Sequence, residues 1–314
     1  MKRLPSGLWP VMLTPLKEDN SIDIEGLKKL TEFYIASGAN GLFANCLSSE
    51  MFQLTNKERI KITKTVIDTA GGRIPVISTG SFGDNTSSTA GFIKKLYDIG
   101  TTAVVISTSQ PCNELASEDT FKAAMESLLE KTGEIPLGLY ECPVPYKRLI
   151  SPELLKWLAR SERFLYHKDT VCDLAKIKEK IEVTKGTMLG IYNAHVPTGL
   201  ASIKAGARGI SPIAANMYPE LFSYLLKNLG DESLKNKHQK LNDYLDMMDT
   251  IIHHNYPYSA KFFLQKRGFD ISTKSRIPRI AITPHDLGKL ETVIRVFREL
   301  TDELEIELVE MAIS

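Results

Sequence analysis

Eight times within about 230 residues, a short apolar run gives way to a helical pattern, and this beat limits the possible folds more than any other feature. The runs fall at 9–15, 41–45, 75–80, 103–108, 136–142, 164–169, 188–193 and 208–213. Each is short and rich in branched or aromatic residues, as expected of a strand buried on both faces. Helix starts are marked where the runs end. Ser117-Glu118-Asp119-Thr120 places acids in a first turn, and Ser151 followed by Pro152 reads as an N-cap with proline at the first helical position. Successive parallel strands with crossover helices build either an open doubly wound sheet or a closed barrel. Eight units favour the barrel, and no GxGxxG turn follows the first run. The expected class is α/β: a (β/α)8 TIM barrel over residues 1–230, with a helical appendage over 231–314 packed on it. Helices are expected in that appendage at about 233–254, 257–267, 284–300 and 302–312.

The chain's 314 residues, 43% of them hydrophobic, can bury a core of this size. Its 39 basic and 38 acidic side chains nearly cancel and form no basic stripe, which argues against nucleic acid as a partner. Proline interrupts the N-terminal apolar stretch at Pro5, Pro10 and Pro15, so it is expected to be a lead-in and first strand rather than a secretory leader. No apolar run approaches the ~20 residues needed to span a bilayer. The four cysteines, Cys46, Cys112, Cys142 and Cys172, lie far apart without CxxC pairing. A reducing, cytoplasmic setting is expected.

Candidate chemistry sits where strands end, the face that carries the active site in such barrels. LYEC ends one run at Tyr140 and LYHKD ends the next at Lys168. An unpartnered ammonium is costly to bury, and a lysine that sheds its proton becomes a nucleophile toward carbonyl carbon. A neighbouring tyrosine can move the protons that imine formation requires. Strand alternation sharpens the picture: Tyr140 facing inward takes Cys142 with it and sends Glu141 toward the helices, while Lys168 inward implies Tyr166 inward and His167 outward. The loop Cys46-Leu47-Ser48-Ser49-Glu50 offers the hydroxyls of Ser48 and Ser49, together with backbone N–H groups, to a carboxylate. Tyr192, ending the seventh run, and Ser211, on the eighth, are expected on the substrate-binding wall. Cys46, Cys112 and Cys142 all fall near strand ends and could together bind zinc, but buried free thiols serve more often as small core side chains, so no metal is expected.

Taken in order, VMLTPL, GANGLF, SSE followed by LT, LYECP, HKDT, GISPIAAN and the spacing from Pro257 to Lys261 resemble the Schiff-base class I aldolases typified by dihydrodipicolinate synthase and N-acetylneuraminate lyase. The resemblance runs from Gly7 to about residue 300. It implies a barrel with a C-terminal helical region, commonly assembled as a homo-oligomer (tetramer or dimer). It makes Lys168 the imine-forming lysine and Tyr140 the proton-transferring tyrosine. It assigns Ser48 and Ser49 to the carboxylate of pyruvate or another 2-keto acid, with carbon–carbon cleavage or condensation through an enamine and no cofactor.

The departures from that pattern matter too. Leu47 stands where the family carries a relay hydroxyl, TSQPCNEL lacks the aromatic pair after strand four, and Val144-Pro145-Tyr146 follows LYECP where the synthases carry an arginine that grips the aldehyde substrate's carboxylate. Ile191 and Tyr192 replace the acids that bind sugar hydroxyls in the sialate lyases. Two alternatives therefore stand beside the lyase: a keto-deoxy sugar-acid dehydratase of the same family, and a keto-acid-binding barrel that no longer turns over.

Overall fold

A computed structural model describes residues 2–278 and 281–310. The first half of the barrel comprises β1 (Gly7–Leu8), α1 (Ile24–Ala36), β2 (Leu42–Phe43), α2 (Asn56–Ala70), β3 (Val76–Thr79), α3 (Thr86–Asp98), β4 (Ala103–Ser107) and α4 (Glu118–Thr132). The second half comprises β5 (Leu137–Tyr140), α5 (Pro152–Arg160), β6 (Phe164–Asp169), α6 (Leu174–Thr184), β7 (Gly190–Asn193), α7 (Val196–Lys204), β8 (Gly209–Ile210) and α8 (Pro219–Lys227). Helices α9 (Lys235–His253), α10 (Tyr258–Lys266) and α11 (Pro284–Leu304) follow.

Every strand pair is parallel, in the order β1-β8-β7-β6-β5-β4-β3-β2. A parallel bridge between Val11 and Phe43 joins the two end strands and closes the ring. The first strand is shorter than the apolar run at 9–15 suggests. Pro10 has no N–H to donate, so the ladder with β8 stops at Leu8 and pairing resumes with β2 at Val11. Where β1, β7 and β8 meet, a Cβ on Gly209 would lie 2.3 Å from the Gly7 carbonyl oxygen and 2.6 Å from the Tyr192 ring, so only glycine fits there.

Caps set the helix starts. Ser117 and Ser151 accept from backbone N–H groups of the first turns of α4 and α5, and Thr55 and Glu58 form a reciprocal capping box on α2. The barrel interior is one apolar cluster holding Trp9, Phe43, Tyr140, Tyr166 and Tyr192. A second cluster gathers Leu8, Leu42 and Tyr218 together with Leu241, Phe263 and Phe297, so the C-terminal helices share a core with the barrel. Truncating such an aromatic to alanine costs about 3–5 kcal/mol. The fourth helix expected at 302–312 does not form. Helix α11 runs through to Leu304, Glu305 caps it in the left-handed region (φ 54°), and residues 306–310 continue without regular structure. Residues 311 and 312 lie outside the described part.

Helix α10 reaches back to the barrel mouth. Buried Lys261 pairs with Glu50 at 2.9 Å, and the Ser275 hydroxyl and Arg276 N–H also donate to that carboxylate. The loop after β2 is thereby fastened from the C-terminal side.

Candidate active site

Strands β5 and β6 pair so that Tyr140 lies opposite Lys168, both at the carboxyl-terminal end of the barrel. The Lys168 ammonium sits 4.7 Å from the centre of the Tyr140 ring, and both side chains are less than 5% exposed. Phe43 packs edge-on against the same ring, at 5.8 Å. Among the described residues, no ion pair reaches Lys168. Burial lowers its pKa to about 8, while the nearby thiols of Cys46 and Cys142 work weakly the other way. Burial also pushes the Tyr140 hydroxyl well above the ordinary tyrosine range, with the same two thiols adding to the effect. At neutral pH the tyrosine is a proton donor beside an amine that is readily deprotonated.

Alternation holds on both strands. Cys142 and Tyr166 join Tyr140 in the interior cluster, whereas Glu141 and His167 turn toward α6. There, Lys180 donates to Glu141 and Asp169 at 2.6 Å each, and His167 Nε2 lies 3.5 Å from Glu141 and 3.7 Å from Asp169. Burial disfavours charge on every member, yet mutual attraction wins. Glu141 and Asp169 are held below the usual carboxylate range by His167 and Lys180, and both cations are held above theirs by the carboxylates. Glu141 also accepts from the N–H groups of Ile150 and Thr170, fastening the segments that follow β5 and β6. Ligand atoms of Glu141, His167 and Asp169 lie within 4.8 Å of one another, close enough for a metal ion, but the Lys180 ammonium already supplies a positive charge bound to both carboxylates.

The other expected site residues divide. Ser48 lies at the barrel mouth, its hydroxyl in contact with that of Tyr256, which also accepts from Asn216 Nδ2 at 2.8 Å. Leu47 adds only an apolar surface to the interior cluster. The Ser49 hydroxyl is already engaged: it donates to the Met12 carbonyl (2.6 Å), lies 3.0 Å from that of Ala44 and accepts from Cys46 N–H, stapling the loop to the segment after β1. The N–H groups of Ser49 and Glu50 are also bonded within the loop. Tyr192 points toward the amino-terminal end of the barrel, where its hydroxyl donates to the Pro5 carbonyl at 2.9 Å. Ser211 bridges the Tyr166 hydroxyl and the Trp9 carbonyl inside the barrel. The hydroxyls of Ser49, Tyr192 and Ser211 each have a backbone partner that the local sequence does not reveal. Arg148 is similarly occupied, donating to the carbonyls of Asn113, Glu114 and Ala116.

Residues 4–296 match the model of the dihydrodipicolinate synthetase family. The chain belongs to that family. As a family member it is an aldolase-type carbon–carbon lyase of the Schiff-base class. It is 28% identical over 224 residues to a 4-hydroxy-tetrahydrodipicolinate synthase of Jannaschia sp. (strain CCS1), covering 71% of this chain and 75% of that one. Its fold matches dihydrodipicolinate synthase DapA-2 of Bacillus anthracis with a TM-score of 0.84 at 22% identity, over 94% of this chain and 99% of the other. It also matches YagE, a prophage protein of the dihydrodipicolinic acid synthase family from E. coli K12 solved in complex with pyruvate, with a TM-score of 0.82 at 22% identity, over 96% and 99%. Such identities make the chain a divergent family member. No described helix is long and apolar enough to cross a membrane.

Proposed function

We propose that Lys168 forms a Schiff base with pyruvate or another 2-keto acid, and that the resulting enamine carries carbon–carbon cleavage or condensation. The supporting observation is an amine buried at a strand end, with a pKa of about 8, against a protonated tyrosine and with no carboxylate paired to it among the described residues. Nitrogen adds to the C2 carbonyl. The hydroxyl of the resulting carbinolamine leaves as water with a proton from Tyr140, as the C–O bond breaks and the imine forms. Loss of a C3 proton gives the enamine, which attacks an aldehyde or, in the reverse direction, is released by cleavage of the bond to C3. Ser48, the member of its pair whose hydroxyl has no backbone partner among the described residues, is the serine assigned here to the substrate carboxylate.

The condensation partner is read as different from that of the synthases named among the relatives. Arg148, the arginine nearest in sequence to the expected carboxylate grip, is bound to three backbone carbonyls. A second reading, a keto-acid-binding barrel without turnover, draws on the apolar Leu47 side chain among the site residues. Borohydride reduction in the presence of pyruvate, followed by peptide mass spectrometry, tests the first reading. A reduced pyruvyl adduct is expected on Lys168 and absent from Lys168→Ala. No adduct from folded wild type, with pyruvate or a panel of other 2-keto acids, overturns it. Equal keto-acid binding by Lys168→Ala favours the second reading.

A further inference from the structure

A tyrosine that gives up a proton in each turnover must be reprotonated, and the apolar Leu47 side chain cannot do this. What lies against Tyr140 instead is a thiol. The Cys142 N–H folds back onto the Tyr140 carbonyl at 2.7 Å, which keeps the two side chains on the same face of the strand end. The fully buried Cys142 thiol contacts both the Tyr140 hydroxyl and the hydroxyl of Ser107. Ser107 is the β4 residue directly opposite Tyr140 in the β4–β5 ladder. Its Oγ lies 3.1 Å from Ser109 Oγ, with either atom able to donate, and Ser109 Oγ lies 3.2 Å from the Val144 carbonyl. Val144 and Gln110, the residue after Ser109, line an open groove of about 800 Å³ on the outside of the barrel mouth. A file of exchangeable hydrogens thus runs from the tyrosine beside Lys168 toward bulk water, through side chains of β4 and the segment after β5.

We propose that Cys142, Ser107 and Ser109 form a proton conduit that reprotonates Tyr140 from the groove. The inference rests on the Schiff-base reading. When Tyr140 has protonated the departing hydroxyl, its phenolate takes the Cys142 thiol proton. In the same concerted shift each hydroxyl passes its proton as it receives the next, from Ser107 to Cys142 and from Ser109 to Ser107, with groove water supplying Ser109, so that no free alkoxide forms. One proton enters from solvent for each one delivered to the departing water, and no oxidant or reductant is involved. Burial raises the Cys142 pKa above the ordinary thiol range, so the residue holds a proton to give at neutral pH. Its titratable neighbours are Tyr140 and Lys168, both of which face it from the barrel interior. Cys142 acts through Tyr140 and is a positioning and relay residue rather than a catalytic one.

The test uses the full chain as wild type, Cys142→Ala, Cys142→Ser and Ser107→Ala. It follows deuterium entry at the pyruvate methyl group in D₂O by NMR, borohydride trapping on the same samples, and the pH profile and solvent isotope effect of exchange. Cys142→Ala is expected to slow exchange by about 100-fold, the lower end of what one lost proton-transfer group costs. End-point trapping on Lys168 should persist. Cys142→Ser should restore most of the rate, and Ser107→Ala should slow exchange with an altered pH profile even if Cys142→Ala proves poorly folded by thermal melting. Exchange by Cys142→Ala at the wild-type rate overturns the conduit, as does equal slowing in the alanine and serine variants with an unchanged pH profile. Wild type that is neither trapped nor exchanges overturns the Schiff-base reading and the conduit with it, whereas a trapped wild type beside an unaffected Cys142→Ala overturns the conduit alone.

Discussion

Two lysines are buried near the ends of β5 and β6, and they are opposites. Lys168 points into the barrel, meets an aromatic ring and two thiols, and has its pKa lowered to about 8. Lys180 points from α6 onto the outer face of the same strands, meets Glu141 and Asp169 at 2.6 Å, and has its pKa raised. Both are about 3% exposed, so burial is common to the two and cannot explain the difference. What differs is the counter-charge. The β-strand period of two carries Tyr140 and Lys168 to one face and Glu141, His167 and Asp169 to the other, so acids within one residue of Tyr140 and Lys168 bind a different amine. The sheet itself separates a lysine with no ion pair among the described residues from one bound by two carboxylates.

The largest effect is expected at the structural lysine. Lys180→Met leaves two buried carboxylates facing only His167, and removing one partner from a buried ionic network costs about 3–5 kcal/mol. Chemical denaturation at pH 7 should show this loss. A change below ~1 kcal/mol would mean that Lys180 contributes little to holding the strand ends, and the contrast between the two lysines would lose its basis.

Removing Lys168 is expected to have the opposite sign. Lys168→Met should make the folded protein more stable at pH 7 while abolishing adduct formation. Between the folded pKa of about 8 and the unfolded value of 10.5, the unfolded chain binds a proton that the native chain does not. Wild-type stability therefore rises with pH across that window, and below it the buried ammonium is a fixed penalty of about 3 kcal/mol, at ~1.4 kcal/mol per tenfold change in proton affinity. The gain from Lys168→Met should be near that figure at pH 7 and shrink as pH climbs toward 10.5. Melting curves of both proteins across this range check it. A variant less stable than wild type at pH 7 would show that the ammonium is compensated in the native state.

How much of this contrast could be read in advance follows from the distance over which each contact acts. Strand alternation is a local property, so the inward set of Tyr140, Cys142, Tyr166 and Lys168 and the outward pair Glu141 and His167 were legible from residue spacing alone. The eightfold beat was legible for the same reason, as was the capping of α4 and α5 by Ser117 and Ser151. Lys180 was not, because nothing in the spacing of α6 says that its ammonium reaches back to two strands. Tyr256 and Asn216, which meet near Ser48, are separated from that loop by most of the chain. The partners of Ser49 were hidden for a subtler reason: a loop serine gives no sign in sequence that its hydroxyl staples backbone carbonyls, and only the fold brings the Met12 and Ala44 carbonyls to it. The same holds for the separate helix expected after residue 300. Apolar spacing continued, but it belonged to the last turn of α11 and an irregular tail.

The smallest effect concerns the barrel interior itself, whose two ends differ as the two faces of the sheet do. At the carboxyl-terminal end Lys168 and Tyr140 share a setting without an ion pair, while toward the amino-terminal end the hydroxyl of Tyr192 is bonded to the Pro5 carbonyl and its ring stacks on Tyr166 at 4.4 Å and meets Trp9 edge-on at 5.2 Å. Tyr192→Phe keeps both ring contacts and deletes one hydrogen bond to a partly buried carbonyl, so it should cost about 1 kcal/mol of stability. Because the hydroxyl points away from Lys168's end of the barrel, pyruvate affinity and the yield of trapped adduct should stay at wild-type levels. A fall of about tenfold or more in pyruvate affinity, roughly the 1.4 kcal/mol of a lost ligand hydrogen bond, would return Tyr192 to the substrate-binding wall and mean that the interior is continuous from end to end. Unchanged affinity with the small stability loss would confine the chemistry to the carboxyl-terminal end, where an amine without a counter-charge is the distinguishing feature.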